Sequence, residues 1–254
     1  MSKMKGNMSN SLIQTMVNTK FDNVLENWVT EKNKDRFGLH ASEILKTPGS
    51  FCFRRCLLNY FYNNPQEDVP NKDKIQYYFG GEGLHRMWED VVDISGSLIM
   101  AEAPMYSEKF ELWYTPDQII KAMNRTYIVE VKTMSEKSYN KFKSVPISFR
   151  RQMQLYMHLT GIPNGIVLVQ NRNNLEFEAY AFEYNSSLIT EHIERLYKLN
   201  DLKKNYIKSG YDEDSLPNQE CRDKYDSKAK YCSACELCMM DDLKRQDKLK
   251  TKFC

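Results

Sequence analysis

The most informative stretch of the chain is Tyr127-Ile128-Val129-Glu130-Val131-Lys132-Thr133, which is typical of a buried β-strand with a charged end. Its first residues are aromatic or β-branched, as in the centre of a sheet. Alternate strand residues point to opposite faces, so Glu130 and Lys132 share one face and Val131 packs on the other. Burying these two charges is costly unless they are paired or metal-bound. By itself the stretch is equally compatible with an edge strand carrying a solvated Glu and Lys.

A second carboxylate, Asp117, lies upstream of this strand. The residues between Asp117 and Glu130 predict a β-hairpin, which would bring the two carboxylates together. Two carboxylates can hold a hard divalent cation such as Mg or Mn. A lysine beside them can position or deprotonate water and can offset the charge that develops on a phosphate. The pattern therefore indicates hydrolysis of phosphodiesters.

Further motifs lie on both sides of the hairpin. Upstream, a predicted helix carries small residues followed by a histidine, in the sequence Gly81-Glu82-Gly83-Leu84-His85. The turn before Asp117 is formed by Thr115-Pro116. Downstream, Gln152-Met153-Gln154-Leu155-Tyr156 belongs to another predicted helix. Residues four apart share a helix face, so the first and last side chains of that motif can reach the same group.

In their order, these motifs resemble the RecB-type branch of the PD-(D/E)XK nuclease superfamily, in particular its iron-sulfur exonucleases, which include CRISPR-associated members. The resemblance covers roughly residues 40 to 240. It implies that Mg or Mn is bound by His85, Asp117, Glu130 and the carbonyl of Val131. It also implies that Lys132 orients the attacking water and that Gln152 and Tyr156 hold the substrate backbone. The glycine that the family usually has shortly before the aspartate is absent here.

Cysteine usage favours metal binding. The chain has seven cysteines: Cys52, Cys56, Cys221, Cys232, Cys235, Cys238 and Cys254. An odd number, with no hydrophobic leader expected over the polar residues 1–20, argues against a disulfide framework. Thiolates in a reducing compartment bind zinc or iron-sulfur clusters instead.

The stretch Cys52-Phe53-Arg54-Arg55-Cys56 resembles the N-terminal cluster segment of the same family. The resemblance implies a structural 4Fe-4S cluster that joins the two ends of the nuclease core, with the ligands Cys52, Cys221, Cys232 and Cys238. Cys235 is the alternate ligand, and a local zinc site formed by Cys221, Cys232, Cys235 and Cys238 remains open. Cys56 is expected to pack in the core and Cys254 to be free.

The charge pattern predicts a local rather than a broad nucleic-acid contact. The formal net charge of the 254 residues is +2, which is too balanced for an electrostatic DNA wrap. A basic and aromatic strip could hold phosphates and stack on unpaired bases. Its candidate members are Arg54, Arg55, Lys137, Tyr139, Lys141 and Arg151. The segment 135–148 could equally be an ordinary solvated helix or loop.

The expected fold class is α/β: a restriction-endonuclease-like central mixed sheet flanked by helices, with the N- and C-terminal segments joined by a cysteine metal cluster. The domains expected are an N-terminal helical extension (1–40), a nuclease core (41–215) and a cysteine-rich segment (216–254). Strands are predicted at 98–105, 108–114, 118–121, 126–133, 166–170 and 176–182. Helices are predicted at 53–62, 75–92, 147–160 and 187–209.

The expected function is metal-dependent hydrolysis of DNA. By resemblance the substrate is single-stranded DNA and the partners are proteins of recombination, repair or CRISPR adaptation. Two other classes stay open: a non-catalytic accessory protein of a recombination or defence complex, and a zinc-containing DNA-binding protein. No apolar run approaches the length of a membrane span, so a cytoplasmic location is expected, in a microbe or in a host cell if the protein is viral.

Overall fold

The computed structural model describes residues 38–62, 72–102, 104–221, 223–227, 229, 232–240 and 244–245. The predicted N-terminal extension lies outside these residues except for its last three positions, and so does Cys254. Within the described residues, no helix is long and apolar enough to cross a membrane.

A five-stranded mixed sheet with the order β1-β4-β5-β6-β7 forms the centre of the protein. Strands β5 and β6 are parallel, and the three other neighbouring pairs are antiparallel. The strands are β1 (Leu98–Ala101), β4 (Gln118–Ala122), β5 (Arg125–Met134), β6 (Asn164–Asn171) and β7 (Phe177–Glu183). The central mixed sheet predicted from the sequence is thus confirmed.

The predicted hairpin is formed by β4 and β5, which pair from Gln118–Val129 to Ala122–Arg125. Two residues, Met123 and Asn124, connect the strands with φ angles of 50° and 62°. Positive φ at both positions of a two-residue loop matches the right-handed twist of the strands. The turn therefore fixes the register that brings the start of β4 beside the middle of β5.

The strand predicted at 98–105 is wrong as a single element. Strand β1 ends at Ala101, and β2 (Met105–Ser107) pairs with β3 (Leu112–Tyr114) in a separate two-stranded sheet. Glu102 has a φ of 40°, so the chain cannot stay extended at this point. The strand predicted at 108–114 is shorter for a similar reason, since residues 108–111 form a turn in which Glu111 has a φ of 49°.

The helices pack on both faces of the sheet. They are α1 (Ala41–Ile44), α2 (Phe53–Tyr62), α3 (Lys72–Ile94), α4 (Glu136–Tyr139), α5 (Ile147–Thr160), α6 (Thr190–Lys208) and α7 (Cys235–Cys238). The main core combines side chains of α2, α5 and α6 with the Val167 face of β6. A smaller cluster on the other face contains Val129, Val131 and Leu168, against which Trp88 of α3 packs. Helix α3 and helix α5 therefore enclose β5 from opposite sides.

Candidate active site and thiol pocket

Glu130 is the centre of the candidate active site. It lies in the middle of β5 with its side chain fully buried. Its Oε2 accepts hydrogen bonds from Lys132 Nζ at 2.8 Å and from Gln152 Nε2 at 2.9 Å. No donor among the described residues forms a hydrogen bond of standard geometry with its Oε1. The backbone of Asp117 nevertheless lies close enough to favour the charged form of the Glu130 carboxylate. Burial, and then the charge of Asp117, raise the pKa of Glu130 to about 7.

Asp117 lies just before β4, where the hairpin places it beside β5. Its Oδ2 accepts a hydrogen bond of 2.7 Å from the backbone N–H of Val131. Burial raises the pKa of Asp117, although Lys132 and His85 favour its charged form. The N–H and C=O of one strand residue point to the same side, so the carbonyl of Val131 is also directed toward Asp117 rather than toward β6. The hairpin thus brings together the two acids and the carbonyl that the sequence singled out.

His85 approaches the acids from α3. Its Nδ1 lies 3.8 Å from Asp117 Oδ1 and 3.8 Å from Glu102 Oε1. Burial lowers the pKa of His85, but the neighbouring carboxylates of Glu102 and Asp117 outweigh burial and raise it. The backbone N–H of Glu102 donates to the carbonyl of Asp117 at 2.9 Å. Glu102 is an acid of the site that the sequence analysis did not select, because its position depends on the sharp turn after β1.

Lys132 completes this set of charges on the α5 side of the sheet. Burial lowers the pKa of Lys132, but the negative charges of Glu130 and Asp117 outweigh burial and raise it. Its Nζ lies 5.6 Å from the ring centroid of Phe149, which provides a further favourable contact for the cation. Gln152 Nε2 also donates to Tyr156 Oη at 3.3 Å. Gln152 and Tyr156 therefore share a helix face beside Glu130, as their spacing predicts.

The residues present fit a divalent cation. In the part of the chain that the structure describes, no three His, Cys, Asp or Glu side chains are already gathered as a metal site. The Oε1 atom of Glu130 is nevertheless buried without a hydrogen-bond partner there, in a site where Asp117 adds a second negative charge. A cation at this position would supply the partner that the buried carboxylate lacks.

A second candidate site is a pocket that we call the thiol pocket. Five cysteines line it: Cys52, Cys221, Cys232, Cys235 and Cys238. Cys52 comes from the residue before α2, and the other four come from the C-terminal segment, so the fold brings both predicted cluster segments together. A tetrahedral zinc site or a cluster needs four thiolates. Both the presence of a metal centre in this pocket and the identity of its ligands stay predictions, since no three of these side chains are gathered at metal-binding distance among the described residues. Cys56 is fully buried in the main core and is not among the residues that line this pocket.

Polar contacts attach the C-terminal segment to α2. Arg54 Nη1 donates to the carbonyl of Pro217 at 3.0 Å, and Arg54 also forms an ion pair with Glu213. Asn59 Nδ2 donates to Ser233 Oγ at 3.0 Å. These contacts hold the C-terminal segment against α2, beside the thiol pocket.

Comparisons with known proteins find distant similarity to exonucleases. No family model matches the chain, and no curated protein matches it. The structure of an alkaline exonuclease from Laribacter hongkongensis is 14% identical, with a TM-score of 0.49, covering 68% of this chain and 90% of that one. Its complex with dAMP is 17% identical, with a TM-score of 0.42, covering 56% and 73%. A phage-related exonuclease from Haemophilus somnus 129PT is 16% identical, with a TM-score of 0.42, covering 68% and 96%.

Identity and TM-score are low for all three of these structures.

The candidate DNA contacts lie in different environments. Lys137 and Lys141 are exposed on α4 and just after it, while Tyr139 is half-buried against the main core. Arg151 is half-buried on α5, close enough to His192 to influence its pKa.

Arg54 and Arg55 are 6% and 7% exposed. Arg54 binds Glu213 and the Pro217 carbonyl, and Arg55 binds Glu43 and the carbonyl of Ser50. Side chains buried with internal partners do not face a nucleic acid. The expectation that Arg54 and Arg55 contact DNA is therefore corrected. The DNA contacts expected for Lys137, Tyr139, Lys141 and Arg151 stay predictions.

Proposed function

We propose that the protein is a Mg- or Mn-dependent deoxyribonuclease of the PD-(D/E)XK type. The observation that carries the proposal is Glu130: a fully buried carboxylate with one oxygen held by Lys132 and Gln152 and the other without a hydrogen-bond partner among the described residues. Asp117 and His85 lie at the same place. A buried excess of carboxylate over ammonium charge suits a cation-binding site better than a structural ion pair.

Each residue has a role that follows from its position. His85, Asp117, Glu130 and the Val131 carbonyl would hold the cation, which would polarise the phosphate and lower the pKa of bound water. Lys132 stays protonated, since its pKa is raised, so it orients the attacking water and offsets phosphate charge as a cation rather than as a base. Gln152 fixes the Glu130 carboxylate, and Tyr156 extends this polar face toward the substrate backbone.

The substrate we propose is single-stranded DNA, attacked from an end in recombination, repair or CRISPR adaptation, as the motif resemblance implies. Lys137 and Lys141 follow directly on the strand that carries Glu130, so they can hold the backbone of a bound strand. The thiol pocket is proposed to hold a structural 4Fe-4S cluster. Five cysteines line this pocket, and four thiolates are enough to hold such a cluster.

The test is digestion of single strands labelled at the 5′ or the 3′ end, with Mg, with Mn and with a chelator. Wild type should shorten the strands only with metal, and Lys132→Met should lose this activity. The matched control is Lys121→Met, because Lys121 is an exposed lysine on the neighbouring strand β4. Undiminished cleavage by Lys132→Met, with contaminating nuclease excluded, would refute the proposed site.

One observation favours a second candidate, a zinc-containing DNA-binding accessory protein of a recombination or defence complex. The four C-terminal cysteines line the thiol pocket together, and they could bind zinc without Cys52. This candidate predicts zinc in the purified protein and binding of DNA without cleavage. The absorption spectrum of anaerobically purified protein and the digestion assay separate the two.

A further inference from the structure

A fixed arginine forms part of the wall of the thiol pocket. Arg54 lines the pocket together with the five cysteines. Its guanidinium group donates to the Pro217 carbonyl at 3.0 Å. Burial raises the pKa of Cys238, and the nearby positive charge of Arg54 opposes that rise. An arginine held by several partners presents its charge in one orientation, because the planar guanidinium donates in fixed directions.

A second arginine, Arg245, binds the same glutamate as Arg54. Glu213 forms ion pairs with Arg54 through Oε1 and with Arg245 through Oε2. Arg245 is almost fully buried, and its Nε donates to the carbonyl of Leu237, the residue next to Cys238, at 2.8 Å. This group of two arginines and one glutamate therefore has one positive charge in excess, at the wall that carries Cys238.

A similar group lies on the Cys52 side of the pocket. Arg55 also lines the pocket, and its Nε lies 2.9 Å from Glu43 Oε2. The other oxygen of Glu43 lies 2.8 Å from Lys46 Nζ. Two cations share one carboxylate here as well, so this group again has one positive charge in excess.

These excess charges have a use if the pocket holds a thiolate-bound metal centre. Four thiolates around a divalent zinc ion or around a 4Fe-4S cluster carry a net charge of about −2. Such a charge is costly to bury unless cations or hydrogen-bond donors offset it. We propose that Arg54 is a positioning residue of this metal centre: it donates to the sulfur of Cys238 and offsets the thiolate charge, with Glu213 and Arg245 holding it in place. The inference rests on the metal centre proposed above and does not depend on nuclease activity.

The test measures how firmly the metal is held. Wild type and Arg54→Gln are purified without oxygen, their iron and zinc are counted, and the release of metal to an excess of a coloured chelator is followed. Loss of a partner of a metal ligand typically weakens metal binding about 10- to 100-fold. Release from Arg54→Gln should therefore be faster by about that factor.

A matched control separates this role from ordinary stabilisation. Arg195 is a buried arginine that also donates to two carbonyls, those of Ile44 and Lys46, and pairs with Glu191, but it does not line the thiol pocket. Arg195→Gln should lower the melting temperature without accelerating metal release. Equal acceleration in both variants at equal loss of stability would overturn the proposal, because Arg54 would then act only through folding.

The conservative variant tests the charge itself. Arg54→Lys keeps a cation at the pocket wall and should release metal more slowly than Arg54→Gln. Identical release from both variants would overturn the charge-balancing role. Wild type that holds neither iron nor zinc would overturn the inference altogether, whereas cleavage of labelled DNA in the same preparations reports separately on the proposed nuclease.

Discussion

Two lysines, the buried Lys203 and the half-buried Lys132, each pair with a glutamate, but their surroundings differ. Lys203 Nζ lies 2.6 Å from Glu111 Oε2, and it also donates to the carbonyl of Phe110 at 3.1 Å. Tyr60 Oη donates to the same glutamate oxygen at 2.9 Å, and the Glu111 side chain is 45% exposed. Burial raises the pKa of Glu111, but the hydrogen bonds from Lys203 and Tyr60 outweigh burial and lower it. This pair is balanced in charge, and its carboxylate is partly solvated.

The pair of Lys132 and Glu130 has nearly the same separation and the opposite balance. Glu130 is fully buried, and the neighbouring Asp117 adds a second negative charge that raises its pKa. One of its oxygens has no hydrogen-bond partner within the described parts of the chain. A balanced pair stabilises a fold, whereas a buried excess of carboxylate is tolerated where a cation binds. Charge balance, rather than distance, separates the structural pair from the candidate catalytic pair.

The largest effect is expected for Glu130→Gln. The amide keeps the shape of the side chain but removes a metal ligand, so cleavage of labelled DNA should fall by about 10³-fold or more. The melting temperature of the metal-free variant should stay near that of wild type, because Asp117 still balances Lys132. Glu111→Gln, the equivalent change in the balanced pair, should keep its activity. Comparable activity in the two variants would remove the distinction between the pairs.

A smaller loss of activity is expected for Gln152→Leu. This change removes the hydrogen bond that orients the Glu130 carboxylate, and loss of such a partner typically costs about 10- to 100-fold. The control is Gln154→Leu, two residues along the same helix, since Gln154 instead holds the backbone of Glu183 and Asn185. Gln154→Leu should lower stability and leave the activity per folded molecule unchanged. The reverse pattern in assays of cleavage and urea unfolding would contradict the role given to Gln152.

Lys203→Met should affect stability and not activity. Because Glu111 is partly exposed and can be solvated, the loss in the free energy of unfolding should be about 1–2 kcal/mol. Urea unfolding measures the loss, and Lys204→Met, an exposed neighbour, provides the control. Cleavage reduced beyond the fraction of unfolded protein would show that the balanced pair also contributes to function.

The smallest effect concerns His192, a buried histidine with both basic and acidic side chains nearby. It is 2% exposed; burial lowers its pKa, and the charge of Arg195 lowers it further. The unfolded chain takes up a proton as the pH falls through about 6.5, whereas the folded protein resists protonation until a lower pH. Stability should therefore decrease as the pH falls below that value. Thermal melting of wild type and His192→Gln across this range should show a shallower pH dependence in the variant; parallel curves would exclude this contribution.

Local patterns predicted much of the fold correctly. Helix α2 and helix α5 have the predicted bounds, 53–62 and 147–160, and Gly161 ends α5 with a φ of 73°, which suits glycine. The hairpin predicted between Asp117 and Glu130 is formed by β4 and β5. The predicted strand at 98–105 failed because the backbone turn at Glu102 follows from its contact with Asp117, which is distant in sequence.

Side-chain environments were harder to predict than elements. Two adjacent arginines such as Arg54 and Arg55 are typical of a phosphate-binding site. In the fold they are buried instead, because tertiary packing brings Glu213 to Arg54 and Glu43 to Arg55. Glu102 joins His85 for the same reason. Sequence periodicity predicts the face of a helix or strand on which a residue lies, but it does not predict which distant residue packs against that face.

The sequence by itself determined that Glu130 and Lys132 share a strand face, that Gln152 and Tyr156 share a helix face, and that the cysteines lie near the two ends of the predicted core. These properties follow from backbone geometry over a few residues. Only the tertiary structure shows that one Glu130 oxygen is held while the other has no hydrogen-bond partner among the described residues, and that five cysteines line one pocket with Arg54. Those properties arise from desolvation and from contacts between distant segments, which no local pattern encodes.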